Sequence, residues 1–275
     1  MMGEFFTDLR QISVEVSKKS GPAERIFAFW SIPITLLIFG ILPPGLHEHL
    51  RLQLDDPTVL SIFFSNFIHA SINHLANNIL SFLVVMLVLF PLAVLAEKTD
   101  TLFAVSIAFL ILVPFIVSVY TIIALAGTAA ETAVGFSGVV AAFAGSLSIF
   151  IGLFAKRAVS DKIQSSTLAA GLMGTELAII LLLAGLNGVS LWFLFLVSVG
   201  AIIFVGRSIS TESTDVEFHH LALLFYSVIV FAGVPVFLIV KVSAGTNVYG
   251  HLAGLISGFV LPILPLQIAE LSSNQ

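Results

Sequence analysis

Long apolar runs alternate with short polar breaks along this chain, and the runs are of membrane length. A helix needs roughly 20 mostly apolar residues to cross a bilayer, with about 17–25 tolerated. Eight stretches meet that requirement: Ile26–Leu46, Ile72–Ala96, Thr101–Ala126, Gly135–Ala155, Leu168–Gly185, Leu191–Gly206, Leu221–Lys241 and Val248–Leu266. The pattern predicts an all-α polytopic membrane protein of about eight spans, because a helix satisfies its own backbone polar groups in lipid. The fifth and sixth stretches are short and joined by Leu186-Asn187-Gly188, a turn signal that makes residues 168–206 a tight transmembrane hairpin. Residues 1–25 form a polar segment too short to fold alone, the membrane domain runs over 26–266, and 267–275 is a short tail.

Composition removes the soluble alternatives. Of 275 residues, 58% are apolar and 10% charged, with a mean hydropathy of +1.11. A soluble domain carries about 45–50% apolar and about 25% charged residues, so too few polar side chains exist here to cover a surface in water. No cysteine is present, which excludes disulfides, thiolate metal sites and a cysteine nucleophile. The longest basic runs are the pairs Lys18-Lys19 and Lys156-Arg157, so no nucleic-acid partner is expected.

The placement of the basic residues orients the chain. With the N-terminus inside, Arg10, Lys18, Lys19, Arg25, Lys98, Lys156, Arg157, Lys162 and Arg207 lie in cytoplasmic breaks, against Arg51 and Lys241 outside. Nine against two is a strong positive-inside bias, predicting an integral multi-pass protein of the cell membrane with both termini cytoplasmic. Even-numbered spans then descend from the outer face. The first span lacks a small-residue cleavage site behind it and reads as a retained anchor.

Three even spans open with polar groups that a bilayer should exclude. The second follows His69 and carries His74, Asn77 and Asn78 in its first turns. The fourth opens Gly135-Phe136-Ser137-Gly138, and the eighth Tyr249-Gly250-His251-Leu252-Ala253-Gly254. The topology thus puts a serine, two or three histidines and an asparagine at one depth near the outer leaflet. His74 and Asn78, four residues apart, share a helix face about 40° wide, whereas His69 lies roughly 140° away from His74. Gly250, Gly254 and Gly258 form one small-residue stripe, and Gly138, Ala142 and Gly145 another. Helices meeting along such stripes approach closely enough for Ser137 to reach the His251 ring.

These parts suit nucleophilic acyl transfer. A serine hydroxyl becomes a competent nucleophile when an imidazole accepts its proton, and the tetrahedral intermediate needs fixed donors for its oxyanion. His74, the Asn78 amide and the Ser137 backbone N–H could supply those donors. No Asp or Glu stands near either histidine, so the pair would be a dyad.

The ordered pattern His69-x4-His74-x3-Asn78, Gly135-x-Ser137-Gly138 and His251-x2-Gly254 closely resembles the rhomboid intramembrane serine proteases. The resemblance implies a rhomboid-like six-helix core with the hairpin 168–206 as an addition, because only one span is needed between Ser137 and His251 and three are present. It implies Ser137 as nucleophile, His251 as general base, His74 and Asn78 as oxyanion donors, and Gly135, Gly138 and Gly254 as small residues shaping the site. It also implies a serine endopeptidase without cofactor or metal, whose partners are single-span or polytopic membrane proteins cleaved near the outer face, within the lipid bilayer. The chain departs from the family where a Trp-Arg pair is common (here Leu60–Phe64), where a tyrosine often stacks on the histidine (here Ala141), and at Gly250 and Thr246. Two other readings are a catalytically weak rhomboid-like protein that binds membrane helices and, with less support, a polytopic transporter. A transporter would normally place its polar groups near the midplane between repeated halves. His47, His49, His219 and His220 are expected in solvated loops. Glu176 is expected to snorkel or pair near the cytoplasmic end of its span.

Overall fold

The computed structural model describes residues 2–186, 188–209, 216–240, 247–263 and 266. The expected tail 267–275, Asn187 of the expected turn, and Lys241 and Thr246 lie outside the described residues.

The protein is an all-α polytopic membrane protein. Its elements are α1 (Met2–Lys19), α2 (Pro22–Gly40), α3 (Pro44–His49), β1 (Leu52–Gln53), α4 (Val59–Phe64), α5 (Ile72–Leu95), α6 (Thr99–Leu125), β2 (Thr132–Ala133), α7 (Ser137–Ala158), α8 (Ser165–Leu183), α9 (Val189–Ile209), α10 (Phe218–Ile239) and α11 (Val248–Val260). Among the described residues, α2 and α5 to α10 are the seven helices long and apolar enough to cross a membrane. The eighth expected span contains α11, a 13-residue apolar helix.

The first span differs most from expectation. Pro22 at the first helical position and Glu24, whose carboxylate accepts from the Gly21 N–H at 2.6 Å, start α2 before the apolar run begins. Pro43 and Pro44 then separate α2 from the short α3, so Leu46 belongs to a different helix. The polar N-terminal segment also forms a helix. Asp8, Ile12 and Val16, four residues apart, are buried along one face of α1, with buried Ser20 just past its end, and α1 packs on α5 and α10.

Helix α7 is the axis of the bundle. Nearly all of it is buried, and α5, α6, α8, α10 and α11 all pack on it. Its small residues let neighbours approach, and Phe143, Phe150 and Phe154 fill the space between them. Large apolar side chains such as Trp30 and Leu37 on α2, Ile111 on α6, Phe193 and Leu196 on α9 and Phe225 on α10 stay exposed, as a lipid-facing surface requires. Helix α8 packs on α7, and α9 packs on α8. Gly152 of α7 lies so close to the Ser165 carbonyl that no methyl would fit between them.

Glu176, expected to snorkel or to pair between helices, and His219, expected in a solvated loop, are both buried. Glu176 is 2% exposed, three turns into α8, and its Oε1 has no hydrogen-bond partner among the described residues. It borders an apolar cavity of about 570 Å³ between α7, α8, α9 and α10. Snorkelling fails because α8 begins at Ser165, earlier than the apolar run, which sets Glu176 deeper. His219 and His220 stand in the first turn of α10, and His219 is buried against α1. Their loop placement is corrected by the earlier start of α10, at Phe218.

Candidate active site

The segment before α7 is pinned from two sides. β1 and β2 pair antiparallel, Leu52 opposite Ala133 and Gln53 opposite Thr132, and the Leu54 N–H donates to the Glu131 carbonyl at 3.0 Å. The Gly135 N–H then donates to the Ser65 carbonyl at 3.0 Å. Gly135 has φ +123°, a conformation that L side chains rarely adopt, and a Cβ there would lie 2.5 Å from the His74 ring. Glycine is therefore required twice over, and the turn delivers Ser137 to the first position of α7. The 65–71 loop is itself anchored, since the Asn66 amide donates to Ser118 Oγ at 3.0 Å and to the Pro114 carbonyl at 3.3 Å on α6.

Ser137 and His251 are joined directly. The Ser137 hydroxyl donates to His251 Nε2 at 2.5 Å, and His251 Nδ1–H donates to the Leu238 carbonyl at 2.6 Å. A carbonyl can only accept, so Nδ1 carries the proton and Nε2 of the neutral ring must accept from the serine. Leu238 lies in the last turn of α10, where carbonyls lack an intrahelical donor. His251 is buried, whereas Ser137 is half-buried.

The α7–α11 contact makes this bond possible. Gly254 abuts the Gly138 carbonyl, Gly258 the Ala142 carbonyl and Gly145 the Leu255 carbonyl, each too closely for a Cβ. The two small-residue stripes thus bring backbone against backbone. Asn247 caps α11, accepting from the Gly250 N–H at 3.0 Å, and its amide donates to Thr121 Oγ1 at 2.5 Å on α6.

His74 and Asn78 converge from α5 on the Gly135 turn. A Cβ on Gly135 would lie 2.7 Å from His74 Nε2 and 3.7 Å from Asn78 Nδ2. Asn78 is 3% exposed, and its Nδ2 has no acceptor among the described residues. A buried amide donor left open is costly unless something fills it. The first-turn N–H groups of α7 and the positive end of its dipole lie two residues beyond Gly135. His69 is buried, with its ring edge-on to His74 at 5.1 Å between centroids. Burial, with His74 and His47 nearby, pushes the His69 imidazole down to about 3, so it stays neutral.

A polar cavity of about 510 Å³, bordered by Arg51, Asn73, His74, Asn77, Thr132, Ser137 and His251, opens onto the pair. A second cavity of about 30 Å³, bordered by Ser65, Asn66, Thr121, Asn247 and Ser137, has room for one water.

The predicted site residues gather at two adjoining places. Ser137, His251, Gly138 and Gly254 meet where α7 and α11 cross, and His74, Asn78 and Gly135 meet beside the serine turn. Ala141, standing where a stacking tyrosine was expected of the family, is fully buried. Sequence reasoning missed Asn247, Thr121 and the Leu238 carbonyl. Asn247, four residues before His251 and just ahead of an apolar run, carries the signal of a helix cap; a backbone carbonyl carries none. No family model, curated protein or solved structure matches the chain.

Proposed function

We propose that the chain is an intramembrane serine endopeptidase of the rhomboid type, cutting transmembrane segments of other membrane proteins near the outer face. The observation that carries this reading is the relay Ser137 O–H to His251 Nε2, with His251 Nδ1–H on the Leu238 carbonyl. In this reading Ser137 Oγ attacks the scissile carbonyl carbon while His251 Nε2 takes its proton. The oxyanion is held by the open Asn78 amide, His74 and the first-turn N–H groups of α7. The C–N bond then breaks, His251 returns the proton to the leaving amine, and an acyl ester remains on Ser137. Water from the polar cavity hydrolyses that ester, again through His251.

The backbone carbonyl takes the orienting part that a carboxylate plays in a triad. It fixes the tautomer, and the negative end of the α10 dipole favours the imidazolium that forms. The substrate helix must unwind at the cut, because an intact helix shields its own peptide bonds. The two termini are assigned to the cytoplasm on the nine-to-two basic bias.

The test is cleavage of a reporter transmembrane substrate in proteoliposomes, alongside labelling by a serine-directed fluorophosphonate. Ser137→Ala and His251→Ala should each lose cleavage and labelling while keeping the wild-type melting profile. A folded Ser137→Ala protein that retains cleavage would end the protease reading.

A further inference from the structure

The geometry points to a divalent transition-metal site formed by Glu15, His219 and His220, tying α1 to the start of α10 at the end of the bundle opposite Ser137. His220 Nε2 lies 3.0 Å and His219 Nε2 lies 3.3 Å from the same oxygen, Glu15 Oε2. The three donor atoms all lie within 4.8 Å of one another. Zinc bonds to nitrogen and oxygen measure about 2.0–2.2 Å, so the edges of a tetrahedral site are about 3.3–3.6 Å long. The 3.3 Å separation equals such an edge and the 3.0 Å one is slightly shorter, before any ion is considered.

The donor set has the right chemistry. Two imidazoles and one carboxylate form the three-ligand set of many zinc centres, and imidazole suits zinc, copper and nickel over magnesium or calcium. Glu217 Oε2 lies 3.1 Å from His219 Nε2 but outside the three-donor cluster, which leaves the fourth position of a tetrahedral ion to a solvent molecule. The scaffold is rigid on both sides. Ile12 and Val16 bury the face of α1 adjoining Glu15, and Phe154 of α7 packs edge-on to His220 at 5.6 Å between centroids. The other carboxylate oxygen of Glu15 faces Lys19 at 3.8 Å, which leaves Oε2 to the histidines.

The ion fastens an amphipathic N-terminal helix to the bundle. Trypsin sites at Lys18 and Lys19 lie within one turn of Glu15, so undocking of α1 can be read by proteolysis. An ion that binds only the docked form at 100 times its dissociation constant lowers the undocked population by about 100-fold.

The experiment uses the full-length protein in detergent micelles, stripped with EDTA and then titrated with Co²⁺ and with Zn²⁺. One Co²⁺ per chain should give the strong visible absorption of a four-coordinate ion, and Zn²⁺ should displace it. Zn²⁺ should also slow tryptic cleavage at Lys18 and Lys19 by up to about 100-fold. Glu15→Gln, which keeps an acceptor oxygen, and His220→Gln should weaken binding beyond the roughly 10–100-fold typical of losing an outer-shell partner. The double variant His47→Ala/His49→Ala should leave it unchanged. The proposal is overturned if Co²⁺ gives no four-coordinate spectrum, or if Glu15→Gln and His220→Gln bind as the wild type does. The three side chains would then be a hydrogen-bonded cluster holding an adventitious ion only.

Discussion

Because His251 Nδ1–H is committed to the Leu238 carbonyl, its Nε2 can only accept, and the Ser137 hydroxyl is its donor. Asn78 has the opposite condition, a buried amide donor with no acceptor among the described residues. Under the proposed protease reading, these two states suit His251 to proton transfer and Asn78 to oxyanion binding. Removing one oxyanion donor costs about 10²–10³ in turnover, roughly 2.7–4 kcal/mol. Asn78→Ala should therefore cut cleavage by about that factor and still be labelled, slowly, by a fluorophosphonate. His74→Ala should act similarly, since the other donors remain, and the double variant should lose more than either. If His74→Ala abolished labelling as completely as His251→Ala, His74 would be the base instead. The four side chains were legible because each breaks an apolar run where a bilayer tolerates few polar groups. The Leu238 carbonyl was not, because any residue at that position offers the same atom. Glu176 misled because its depth depends on where α8 starts, and Ser165 to Thr167 are too polar to be counted with the apolar run.

At the level of elements, the stripes on α7 and α11 were readable from spacing alone, and the structure pairs them residue by residue. Gly258 meets the Ala142 carbonyl two turns below His251, so a methyl there must push the helices apart without touching either reacting side chain. Overpacking of this kind typically costs about 1–3 kcal/mol, and a displacement of about 1 Å at the reacting atoms can cost 10²-fold in rate. Gly258→Ala should accordingly lower the melting temperature and reduce both cleavage and labelling. Gly233→Ala on α10, where the methyl meets open space, should change neither. Equal behaviour of the two variants would mean that the close approach does not position the dyad. The other tight contacts escaped the sequence for a common reason. The β1–β2 pair is two residues long on each side, and the α1 face depends on partners more than 50 residues away, so neither leaves a local period strong enough to read.

Across the whole molecule, α5, α7 and α11 all begin at the end that holds Ser137, which fixes their relative direction but not which compartment that end faces. The two ends differ in charge: Lys156 and Arg157 close α7, and Arg157 pairs with Glu97 at 2.7 Å in the α5–α6 turn. Glu97 holds a left-handed conformation with φ +58°, and the N–H groups of Glu97 and Lys98 reach back to Val94 and Ala93, so this basic end is a defined turn. Three helices separate Ser137 from His251. α10 alone among them carries the Leu238 carbonyl, while α8 covers part of α7 and α9 packs on α8. Hydropathy gave the number of helices between the two residues but not this division of contacts, since lipid-facing and helix-facing apolar side chains read alike. Orientation is testable because the chain has no cysteine. Thr128 is exposed in the α6–α7 loop at the Ser137 end, and Asp161 is exposed after α7 at the opposite end. Single cysteines at these positions should behave differently toward a membrane-impermeant maleimide applied to intact cells. The Thr128→Cys protein should react at once, and the Asp161→Cys protein only after permeabilisation, if the basic end is cytoplasmic. The reverse pattern would turn the Ser137–His251 pair toward the cytoplasm and, under the proposed protease reading, move the cut to that face.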